Sequence, residues 1–225
     1  MFKNLLGFWS GKGFLEEVLE EFAEMIKTAE KMYGLVIKDF FEPNLDKQFT
    51  QSIYDMDQKI NNHERHIRKR IVEHLSIHPS KGMNVSLILM SVVKDAERVG
   101  DLTKNLLEAG RKLKRPLEKD EFVTYINDLF EKIATYFSAT LKTFIEFDEE
   151  HALRLIKDAR TSAKDCERLI TQLAASNLDA NRVVCFTITA RFLKRIASHL
   201  VNIATAVVVP VSDLDYFDER RMSDI

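Results

Sequence analysis

Glu97-Arg98-Val99-Gly100-Asp101-Leu102-Thr103-Lys104-Asn105-Leu106 and, 97 positions later, Lys194-Arg195-Ile196-Ala197-Ser198-His199-Leu200-Val201-Asn202-Ile203 read as two versions of one segment. Arg, a β-branched residue, a small residue and Asn return in step. Around both, apolar residues recur at three and four, the period of a helix. A repeat of this length holds three long helices, so the chain reads as a tandem duplication of a three-helix unit.

Working outward, Pro43, Pro79 and Pro116 cut the first half at nearly even intervals, and Pro210 closes the second. Proline ends a helix because it has no N–H to donate and clashes with the preceding turn. The spacing predicts helices over about 14–40, 45–76, 81–113, 120–147, 150–175 and 180–209, the last one capped by Asp179. Helices this long on short links lie antiparallel, each covering its neighbour's apolar face. The predicted fold is all-α: two tandem antiparallel three-helix bundles over 14–116 and 117–210, with an N-terminal extension 1–13 and a C-terminal tail 211–225.

Composition agrees. Of 225 residues 45% are apolar and only 7 are Gly and 4 Pro, enough to bury a core and too few turn-formers for a sheet-rich fold. Thirty-three basic residues against 35 acidic ones leave a net charge of -2, which exerts no general pull on nucleic acid or anionic lipid. Cys166 and Cys185 have no zinc-site spacing, and two isolated thiols suit a reduced, intracellular compartment. No apolar run reaches the roughly 20 residues of a bilayer span. Apolar Phe2, Leu5, Leu6, Phe8 and Trp9 are expected to fold back on the body, and the acidic, aromatic tail after Ser212 to form a loosely ordered terminus.

On the third helix Glu97, Asp101, Asn105 and Glu108 project within about 80° of one another, on the side away from its apolar residues, and are expected to face outward. Asp57, Asn61 and Glu64 line one side of the second helix, and the antiparallel run through Pro79 brings them beside Glu97 and Asp101. Carboxylates that converge repel unless cations neutralise them, which makes Asp57, Asn61, Glu64, Glu97 and Asp101 candidate ligands for a metal ion. In the second copy Lys194 and Ser198 replace the two acids, and an ammonium opposes a metal.

This layout resembles the PhoU family of phosphate regulators. The residues that carry it are Glu97-Arg98-Val99-Gly100-Asp101 with Asn105 and Glu108, Asp57-x-x-Ile60-Asn61-x-x-Glu64 on the preceding helix, and the duplication itself. The resemblance implies a regulatory protein, often a homodimer, with an iron or zinc cluster on the bundle surface. Asn61 stands where the motif usually has its second acid, and with the second repeat altered the expectation is one cluster at most, on the first repeat. It further implies a cytoplasmic protein whose partner is a phosphate transporter component, a phosphate symporter or a sensor kinase, with membrane association only through that partner.

Catalytic machinery is not expected. There is no nucleophile with a paired base and no Gly-rich phosphate loop, and His63 and His66 lack the spacing of a zinc protease helix. Two other classes compete with the regulator: a carboxylate-metal enzyme built on Glu97, Asp101, Asp57 and Glu64, and a metal-free helical adaptor. His74 and His78 are expected at a helix end, where their charge suits the dipole. Arg65, Arg68, Lys69 and Arg70 form a local basic patch on the second helix.

Overall fold

The computed structural model describes residues 12–79, 82–114 and 117–214. Pro116, the extension before Lys12 and the tail after Leu214 lie outside the described residues, so the expectations placed on them stay as expectations. Six helices carry the described chain, and it contains no strand. They are α1 (Lys12–Phe41), α2 (Lys47–Ile77), α3 (Met83–Arg111), α4 (Glu121–Glu146), α5 (Glu149–Ala174) and α6 (Ala180–Thr205), followed by a 3-10 turn at Val211–Asp213. No helix of the described residues is long and apolar enough to cross a membrane.

Local chemistry sets the ends. Aspartates at positions 46, 120, 148 and 179 cap α2, α4, α5 and α6, each side chain accepting from backbone N–H groups of the first turn. The α4–α5 link is two residues, and Phe147 turns the chain there in the left-handed conformation at φ 53°. α6 stops short of the expected Val209. Its last turn loosens through Val207 and Val208, whose amides reach back only three residues to Ala204 and Thr205, before Pro210 forbids continuation.

Within each half every helix packs on the other two, α1 with α2 and α3, and α4 with α5 and α6. The halves join like to like: α1 lies against α4 and α3 against α6, while α2 and α5 pack chiefly inside their own halves. One continuous apolar core runs through the whole, from Leu15 to Leu214. Tyr33, Phe40 and Phe41 of α1 meet Phe130 and Phe137 of α4 across the join. Between α3 and α6 the join also holds Asp95, 1% exposed, which accepts from His199 Nδ1 at 2.8 Å and, at 3.4 Å, from Asn202. A buried carboxylate without such donors is expensive, so this pair fixes which turn of α3 faces which turn of α6.

Candidate functional site

Gly100 makes the site. A Cβ built there falls 2.9 Å from Ile60 Cδ1, so the missing side chain lets Ile60 seat on α3 without shifting. Asp57 and Asn61 flank Ile60, and Glu97 and Asp101 flank Gly100, so the same contact draws both rows of polar side chains into one seam.

The sequence-predicted residues do not simply face outward there. Asp57 is buried at 7% exposure, and Asn61, Glu64, Glu97 and Asp101 are half-buried, because α2 covers the flank that the α3 wheel alone leaves open. Their proximity registers in the charge of Glu97. Burial pushes its carboxyl above the usual range, Arg98 pulls it back, and Glu64, Asp101 and Asp57 push it further up. Four carboxylates thus share one field. Asn105 is half-buried in the same row, whereas Glu108 is exposed and accepts a hydrogen bond from Tyr54 at 3.0 Å.

The centre of the seam is Lys104. Its ammonium donates to Asp57 Oδ2 at 2.9 Å and lies 3.0 Å from Asp101 Oδ1. Burial alone lowers a lysine, yet the hydrogen bonds to Asp57 and Asp101 outweigh it and hold Lys104 above its ordinary value. Glu64 pairs with Arg68 at 3.0 Å, and Arg98 lies 3.6 Å from Glu97 and 3.8 Å from Asp101. The acids are therefore neutralised by the chain's own cations. Among the described residues no three His, Cys, Asp or Glu side chains come together as a group that holds a metal ion. Two buried oxygens on α2, Asp57 Oδ1 and Asn61 Oδ1, nevertheless have no partner. The Lys104 ammonium already occupies carboxylate oxygens of the kind a hard cation seeks.

Lys104 is the functional residue that counting acids missed. Seven positions after Glu97, it falls within about 20° of that residue on the wheel, in the same row. A second omission is Glu21 on α1, whose carboxylate receives His63 at 2.9 Å and His66 at 2.7 Å. The basic patch on α2 is largely consumed internally, Arg68 by Glu64, Lys69 by Glu73 and Arg70 by Glu17. His74 lies in the last turn of α2 and stacks on Phe14 at 4.3 Å. Burial pushes the Cys166 thiol up to about 12, which keeps it protonated and unreactive.

Because Glu97 is held above the usual carboxylate range, its ionisation at neutral pH opposes folding. Replacing it with Gln is expected to stabilise the protein by about half a kcal/mol at pH 7. A carboxyl raised in the folded state favours folding below its unfolded value of 4.5, and that advantage is lost as pH rises through the folded value. The gain from Gln should therefore vanish as pH falls below that range. Paired thermal melts across pH check this; a variant less stable than wild type at pH 7 would contradict it.

Comparison with known proteins meets this geometry from outside. Residues 22–110, the first repeat with its acidic seam, match the PhoU domain model. The phosphate-specific transport system accessory protein PhoU homolog 1 of Thermotoga maritima is 22% identical over 170 residues, 73% of each chain. The crystal structure of PhoU from Pseudomonas aeruginosa superposes with a TM-score of 0.79 at 21% identity, covering 88% of this chain and 97% of that one. The phosphate transport system regulatory protein PhoU from Streptococcus pneumoniae gives 0.76 at 16% identity, over 86% and 93%. Residues 22–110 thus match the PhoU domain, and the chain as a whole has the fold of these PhoU structures.

Proposed function

We propose that this protein is a regulatory accessory protein of a phosphate transport system, working on the cytoplasmic side by docking on a transporter component, a symporter or a sensor kinase. The observation that carries this reading is the match of fold and first repeat to proteins so named, over most of the chain. The acidic seam supports it. Side chains neutralised by their own lysine and arginines make a rigid polar surface suited to recognition, and none of them is poised as a nucleophile with its base. Affinity capture from the native cell at high and low phosphate tests the reading. A transporter ATPase, symporter or kinase recovered in a phosphate-dependent way is the expected result, and partners unrelated to phosphate would overturn it.

A second reading, in which the seam exchanges Lys104 for iron or zinc, is favoured by the unpartnered oxygens of Asp57 and Asn61. Asp57, Glu97 and Asp101 would hold the ion with Asn61 and Glu64 beside them, and the ion would supply fixed positive charge to the surface. Metal content measured without chelator, in wild type and in Lys104→Met, decides between the two.

A further inference from the structure

The second repeat has its own seam, between α5 and α6, and there the surface opens into a cleft of about 450 Å³. Its lining is the register-matched counterpart of the acidic seam. Ninety-seven positions beyond Glu97, Asp101 and Lys104 stand Lys194, Ser198 and Val201; ninety-nine beyond Asp57 and Asn61 stand Ile156 and Arg160, and all five line the cleft. The offset on α5 is supported by the core, since Ile53, Ile60 and Ile67 then map onto Ala152, Ala159 and Cys166, all buried. Lys164, one turn beyond Arg160, adds a third cation, and no residue lining the cleft is acidic.

The duplication has therefore inverted the sign of the site as well as losing its acids. We infer that the α5–α6 cleft binds a small tetrahedral oxyanion of the inorganic phosphate type. The arrangement supplies what such an anion needs. Arg160 and Lys164 rise from one helix and Lys194 and Ser198 from the other, each pair one turn apart, so donors approach from two sides. Ile156 and Val201, both buried, form an apolar floor that limits water and strengthens each charge-assisted bond. A competitor for Lys194 is Glu167, which accepts from Lys194 at 2.7 Å and from Arg191 at 3.2 Å at the exposed rim. An arriving dianion competes with that carboxylate for Lys194.

Titration of inorganic phosphate into the full chain at constant ionic strength, followed by calorimetry and by backbone amide shifts, tests the assignment. Saturable binding is expected in the millimolar range or tighter, with shifts centred on Lys194 and Ser198. Arg160→Gln and Lys194→Gln should each weaken it about tenfold. Glu167→Gln should tighten it, and Lys142→Gln on α4 should leave it unchanged. Absence of saturation, equal shifts with chloride, or affinity indifferent to both Arg160→Gln and Lys194→Gln would overturn the proposal. Binding is read on the isolated chain, so a negative result leaves the docking function standing, and failure to capture a phosphate-related partner leaves this site standing.

Discussion

Replacing Phe130 with alanine lowers the stability of the whole chain by about 3–5 kcal/mol, the cost of a large cavity in a packed core. Phe130 is fully buried on α4, and rings from the other repeat pack on it: Phe40 at 5.0 Å and Phe41 at 5.9 Å between ring centroids. Its backbone carbonyl accepts the Tyr33 hydroxyl at 3.2 Å, fixing the turn at which α1 meets α4. The loss should appear in one cooperative transition, because the core is continuous from one half to the other. Urea unfolding followed by helical ellipticity should show a lowered midpoint with an unchanged slope. Two separated transitions would mean that the halves fold independently.

The second large effect is expected from Lys104→Met. The variant keeps the aliphatic bulk but leaves the Asp57 carboxylate, 10% exposed, without its cation. Removing one partner of a buried pair costs about 3–5 kcal/mol, and the 19% exposure of Lys104 places this case at about 2–3. Adding Asp57→Asn should recover much of that loss, since the stranded charge goes with it. The raised value of Lys104 sets the pH window. Its contribution is complete below the ordinary lysine value of 10.5 and is lost only as pH rises through the higher folded value, so the deficit is constant through neutral pH. On the metal reading, iron or zinc binds the same variant and raises its melting temperature. A variant that neither takes up metal nor gains stability from it removes the metal reading and leaves the lysine-closed seam.

The helices were legible because proline, capping aspartate and the three-four period act locally, and each leaves its mark within one turn of where it works. Duplication was legible because two segments agree in register. The gathering of Asp57, Asn61, Glu64, Glu97 and Asp101 followed from pairing consecutive helices. The depth at which they sit did not, since it depends on a missing Cβ at Gly100 meeting Ile60 on another helix. Lys104 lies in the same row on the wheel, but a cation does not signal itself among candidate acid ligands. Glu21 with His63 and His66, and Asp95 with His199, join residues dozens of positions apart, and no local spacing announces them. The basic lining of the second seam is not legible locally, because Arg160 enters it through the register of α5 on α6.

The way the halves meet has an evolutionary corollary. Since the first and third helices of each copy are committed to the shared core, a substitution there must be tolerated by both copies at once. The seams use the other faces of α3 and α6, where they meet α2 and α5, so polar changes there can be added with little effect on the join. One shared scaffold thus carries an acid-bearing seam on one side and a cation-lined one on the other.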